Sequence, residues 1–174
     1  KMNKTALSLL LLFVVLIPAQ AVFFNNLVLF NVAVPLVFIY LIITLPVTYS
    51  PSLAMTIGFL TGVSIDALSD TPGVNALACT VLAFVRRPIF NLYMPSDDDL
   101  ADQRPSLRTM GTPAFLKYAL TMVVLYCAMV FSIEAMQVFN LRLYLLRVGC
   151  SSVFTFIIIY AIACLTRSNR EKRL

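Results

Sequence analysis

The chain has 174 residues, of which 60% are hydrophobic and only 12% charged, with a formal net charge of +5. Soluble domains are about one quarter charged, so this composition and the mean hydropathy of +0.91 exclude an ordinary soluble fold and indicate an integral membrane protein. The positive balance does not point to nucleic acid, because the basic residues flank apolar runs, where they set orientation and meet anionic lipid.

A membrane span needs roughly 20 apolar residues. The expectation is one all-α polytopic domain over 1–174, with six transmembrane helices at about 5–23, 32–48, 52–69, 72–90, 113–136 and 142–165. Lys1 and Lys4, the apolar run 6–17, Pro18 and then Ala19-Gln20-Ala21 have the form of a signal peptide with a small-residue cleavage site. A retained first span is expected instead, because no soluble domain that would need export follows it. The segment 23–31, punctuated by Asn25, Asn26 and Asn31, suits an interfacial turn or a re-entrant piece shielded by other helices. Pro35 and Pro46 bound or kink the second span, and Tyr49-Ser50-Pro51 turns the chain into the third.

In the third span Ala54, Gly58, Gly62, Asp66 and Asp70 recur every four residues and share one slowly drifting helix face. Two glycines four apart allow backbone-to-backbone approach of another helix. A carboxylate facing lipid costs several kcal/mol, so Asp66 turns this face inward or toward a partner. Asp70-Thr71-Pro72-Gly73 then marks a turn, with Thr71 expected to cap a helix whose first residue is Pro72. Along the fourth span Asn75, Cys79, Leu82 and Arg86 line one face, and Arg86, Arg87 and Pro88 are expected to end it. Asn75 lies just across the turn from Asp70, so a polar cluster is expected at that membrane surface.

The one substantial hydrophilic stretch, 93–112, carries Asp97, Asp98, Asp99 and Asp102 and then Arg104 and Arg108. Mixed charge of this kind reads as a solvated loop, and the spacing of a calcium-binding EF-hand is missing. Glu134, Arg142 and Arg147 flank the turn between the last two spans closely enough to pair. With six spans, eleven of the thirteen basic residues fall on one side, including Arg86, Arg87 and the tail residues Arg167, Arg170, Lys172 and Arg173. The positive-inside rule then puts both termini and the central loop in the cytoplasm. Asp70, Asn75, Glu134, Arg142 and Arg147 become a candidate outer polar pocket. Arg86, Arg87 and the tail cations become candidate contacts to lipid or a cytoplasmic partner.

No catalytic signature survives inspection. Histidine is absent, and Cys79, Cys127, Cys150 and Cys164 lie in apolar runs without metal-ligand spacing. Asp66 and Asp70 sit one turn apart on a single helix, a poor arrangement for a paired-carboxylate protease, so Asp66 is expected to satisfy a buried polar contact. No metal, cofactor or enzymatic activity is expected.

The stretch 58–87 resembles the central segment of MreD, the rod shape-determining membrane protein family. The positions that carry the resemblance are Gly58, Gly62 and Asp66, the turn from Asp70 to Gly73, and the basic pair Arg86-Arg87. Length, hydropathy and the basic tail agree across the chain, and Phe24-Asn25-Asn26 looks like the family's outer turn; the extended acidic loop at Asp97 to Asp102 departs from the family pattern and resembles longer, Bacteroidetes-type versions of the chain. The resemblance implies a non-catalytic scaffold in the bacterial cytoplasmic membrane that binds MreC. It works with MreB, RodA and a class B penicillin-binding transpeptidase in peptidoglycan elongation. It also implies a six-helix arrangement similar to the S-components of energy-coupling-factor transporters. Ala54, Gly58, Gly62 and Asp66 would then form the packing or partner face. A small-molecule-binding transporter subunit is the alternative from another class.

Overall fold

The computed structural model describes residues 2–20, 35–69, 71, 73–94, 105–107, 109–135 and 141–171, with only the backbone described at 2–8, 10, 135 and 167–171. These residues form six helices: α1 (Met2–Ala19), α2 (Ile39–Ile43), α3 (Pro51–Ser69), α4 (Val74–Tyr93), α5 (Thr112–Ala135) and α6 (Leu141–Glu171). No strand occurs among the described residues. Four helices, α3 to α6, are long and apolar enough to cross a membrane.

Helix α3 packs against α4, α4 against α5 and α5 against α6, so these four pack in sequence order. The closest pair is α3 and α4. A Cβ added at Gly62 would meet the Ala76 Cα, the Asn75 carbonyl oxygen at 2.5 Å and the Ala76 nitrogen at 2.6 Å. One added at Gly58 would meet the Cys79 carbonyl oxygen at 2.7 Å. Ala54, Gly58, Gly62 and Asp66 are all buried along this seam. Of the two expectations for the small-residue face, inward or toward a partner, the structure shows the inward one: at Gly58 and Gly62 it is filled by the chain's own α4. Lipid offers no hydrophobic drive for helix association, and close backbone contact replaces it.

The second expected span differs most from the sequence reading. Over its described part it is helical only in the five residues of α2, and every residue from 35 to 47 is buried. Pro35 precedes α2 and Pro46 follows it, and neither can donate a backbone hydrogen bond. Phe38, Ile39, Ile42, Ile43 and Leu45 have no exposed surface, so this irregular segment lies in the centre of the core. Non-helical backbone at membrane depth is tolerated only when surrounded by protein.

Helix α4 runs past Arg86, Arg87 and Pro88 to Tyr93, which corrects the expected stop. Pro88 and Phe84, whose helical bond it cannot make, both lie on the exposed face, so the missing bond is kept out of the core. Beyond α4, Leu107 and Met110 fold back into the core just ahead of α5. The acidic run Asp97 to Asp102, with Arg104 and Arg108, lies outside the described residues, as does the 23–31 segment.

Candidate functional site

Buried polar chemistry gathers at two helix ends, each closed by a charged side chain from another element. The first is the start of α4. Its N-cap is Gly73, at φ 82°, which offers no side chain to bind the free N–H groups of the first turn. Asp66, one turn from the end of α3, supplies the missing acceptor. Its Oδ1 accepts from the Asn75 N–H at 3.1 Å and its Oδ2 from the Ala76 N–H at 2.8 Å. The Thr71 hydroxyl and the Asn75 side-chain amide each donate to Oδ1 at 2.9 Å. A carboxylate here also meets the positive end of the α4 dipole. Thr71 therefore supports the cap rather than being it, and Pro72 lies outside the described residues.

The network continues inward. Asn75 donates a second bond to the Thr71 hydroxyl at 3.1 Å, and its Oδ1 accepts from the Tyr126 hydroxyl at 2.6 Å. Tyr126 is fully buried on α5, with its ring edge-on to Phe38 of the central segment at 5.7 Å. Asp66, Thr71, Asn75 and Tyr126 thus tie three helices and the irregular segment together.

The second end is that of α2. Arg86, only 2% exposed, donates to the carbonyls of Leu45 and Pro46, the latter at 3.1 Å. Tyr118 of α5 donates to the Ile43 carbonyl at 3.4 Å, and Thr44 bonds back to the Tyr40 carbonyl at 2.8 Å. A cation at the carbonyl end of a helix complements its dipole. Arg86 is therefore an interior cap, which corrects its expected place as a lipid or partner contact; its neighbour Arg87 is exposed. At the other end of the segment, Gln20 donates to the Pro35 carbonyl at 2.8 Å and accepts from the Val37 N–H at 2.9 Å. Thr155 of α6 accepts from the Leu36 N–H at 3.0 Å. Side chains from α4, α5 and α6, and from Gln20 beyond α1, thereby satisfy backbone groups that a continuous helix would have paired itself.

The expected outer pocket does not assemble among the described residues. Asn75 belongs to the Asp66 network, whereas Glu134 lies eight residues beyond Tyr126, about 12 Å along α5 at the helical rise. Glu134 forms an ion pair with Arg147 at 3.8 Å, both side chains nearly half exposed, and Arg142 is exposed on the first turn of α6. Asp70, Lys172 and Arg173 lie outside the described residues, as do the side chains of Arg167 and Arg170.

Gln20, Tyr118, Tyr126 and Thr155 were not singled out from sequence as parts of a site. Their common signal is a hydrogen-bonding side chain inside an apolar run, which in a membrane must find a partner. The described Cys, Asp and Glu residues form no cluster of three able to hold a metal ion. Comparisons with protein-family models, curated proteins and solved structures give no match for this chain.

Proposed function

We propose that the chain is a non-catalytic membrane scaffold of the MreD type, with six spans and both termini in the bacterial cytoplasm. It binds the single span of MreC and helps couple it to MreB and to RodA with its partner transpeptidase. The observation that carries this reading is the use made of the buried charge. Asp66 accepts four hydrogen bonds, two of them from free N–H groups at the start of α4, and Arg86 donates to two carbonyls just past the end of α2, all within the chain. An intramembrane ionisable residue is a functional candidate by default, but here both have an architectural task. The surface offered to other molecules is then the set of apolar helix faces and the basic cytoplasmic margin. Resemblance over 58–87 supplies the family, and Gly58, Gly62 and Asp66 serve the rigid α3–α4 pair that such a scaffold needs. Arg87, Arg167, Arg170, Lys172 and Arg173 meet anionic lipid or MreB.

Reconstitution tests the reading. The purified chain in nanodiscs should retain full-length MreC and should not retain an MreC whose span has been exchanged for an unrelated apolar helix. Equal retention of both would sink it. The buried, discontinuous 35–47 segment favours one second reading, a small-molecule-binding subunit of a transporter, because broken helices inside a bundle commonly frame ligand sites. Such a subunit would gain thermal stability from a bound metabolite and would associate with an energising ATPase module.

A further inference from the structure

Of the four spans α3 to α6, the last is held the least. Among the described helices it packs closely on α5 alone, and 28% of its apolar stretch is buried, against 50% in α5. Its fastenings differ on the two sides of Gly149. Before Gly149, the Tyr144 hydroxyl hydrogen-bonds that of Ser132 on α5 at 3.0 Å, and Arg147 pairs with Glu134. Beyond it, the buried residues among those described are Ser151, Ser152, Thr155, Ile159 and Ala163, of which only Ile159 is large and apolar.

This second stripe meets the central segment through the Thr155 hydroxyl, which accepts from the Leu36 N–H at 3.0 Å. Such a contact separates at low cost. Few large side chains are uncovered, and the buried Ser152 hydroxyl has no partner to lose. Against lipid, serine and threonine hydroxyls turn to the carbonyl four residues back, as Thr61, Thr80 and Thr166 already do. The Leu36 N–H lies outside α2 and has no such recourse, so its lost bond sets the cost of opening.

Gly149 stands between the two parts of α6. An added Cβ there meets no atom within 4 Å, so no close neighbour requires a glycine at this point. Glycine near serine is a recurrent place for a helix to bend, and Ser151 and Ser152 follow within three residues.

We propose that α6 is a lateral gate over the buried 35–47 segment: the part beyond Gly149 swings away from the segment, while the part before it stays fastened to α5. The structure shows the closed state, and the open state gives the bilayer a side entrance to the broken segment. A molecule that brings an acceptor to the Leu36 N–H from the lipid favours the open state. The inference is independent of the scaffold reading, since it concerns this chain alone.

The test is a distance measurement in nanodiscs by double electron–electron resonance, with genetically encoded spin labels so that the native cysteines stay. The gate pair is Leu165 on α6 and Leu92 at the end of α4, both well exposed. Leu165 lies 16 residues past Gly149, about 24 Å along the helix, so a bend of roughly 20° moves it about 8 Å. The control pair is Leu145, before the glycine, and Val124 on α5, again both exposed. The gate pair should show a major and a minor distance, and the control pair a single one. Thr155→Val should raise the minor population about tenfold, the scale of one buried hydrogen bond. Gly149→Ala should deplete it without lowering the thermal midpoint, because the methyl group meets no atom. A single gate distance that Thr155→Val leaves unchanged would overturn the proposal. So would a Gly149→Ala chain that opens as readily as the starting protein. A control pair that shifts along with the gate pair would overturn it too, since α6 would then detach as a whole. If Thr155→Val does not fold, the Gly149→Ala comparison decides.

Discussion

Replacing Asp66 with leucine removes one acceptor group from four donors at once. The Thr71 hydroxyl and the Asn75 amide can turn to each other, since they are already 3.1 Å apart. The N–H groups of Asn75 and Ala76 have no such alternative, because Gly73 brings no capping side chain. Each buried donor left without a partner costs about 1–3 kcal/mol, so Asp66→Leu should cost roughly 2–6 kcal/mol. Asp66→Asn keeps one acceptor oxygen but loses the charge and turns an NH2 toward a donor; its cost should be about 1–3 kcal/mol. At about 2–4 °C per kcal/mol for a chain of this size, the leucine variant should unfold roughly 10 °C lower. Helix loss followed by circular dichroism in mild detergent reads this directly. The expected order of midpoints is aspartate, then asparagine, then leucine. A leucine variant that melts within about 2 °C of the starting protein would refute the cap, since the ordinary cost of losing one buried cap already exceeds that shift.

Three further substitutions probe the remaining joints of the fold. Gly62→Ala puts a methyl group against the Asn75 carbonyl and the Ala76 backbone, and should cost at least about 1–3 kcal/mol in the same melting assay; an unchanged midpoint would mean that α3 and α4 do not meet there. Arg86→Met leaves the Leu45 and Pro46 carbonyls without their donor and should lower stability by about 1–2 kcal/mol, whereas Arg87→Gln on the exposed side should leave the midpoint unmoved; equal effects would contradict the inside–outside split of the pair. Thr155→Val conserves shape and removes the acceptor for the Leu36 N–H, so amide exchange at Leu36 should accelerate about tenfold or more, consistent with the loss of one buried hydrogen bond; unaltered exchange would show that α6 does not hold the central segment.

What the sequence made legible was governed by local period and by the cost of polar groups in lipid. The four-residue recurrence of Ala54, Gly58, Gly62 and Asp66 marks a tight seam, and the structure puts all four residues in it. The face of Asn75, Cys79, Leu82 and Arg86 is likewise buried as one stripe. The break in the second span was not legible. Its apolar run is as hydrophobic as a continuous helix would need, and the break depends on Gln20, Thr155 and Arg86, which reach it from up to 119 positions away in sequence. Arg86 was misplaced for the same reason. A basic pair beside a proline has the local form of a span end, and only the tertiary fold supplies the carbonyls that keep the first of the pair inside. Among the described residues of the candidate pocket, helix length separates Asn75 from Glu134: Tyr126, which bonds Asn75, shares a helix with Glu134 but lies about two turns away.

The scaffold account is tested most directly by purifying the tagged chain from its native membrane in mild detergent and analysing what accompanies it, proteins and small molecules together, by mass spectrometry. The account predicts MreC in near-stoichiometric amount, with RodA and its transpeptidase partner at lower levels and no metabolite in proportion to the chain. Recovery of a transporter ATPase module with a bound metabolite, and no MreC, would contradict it and would direct attention to the broken segment at the centre of the bundle.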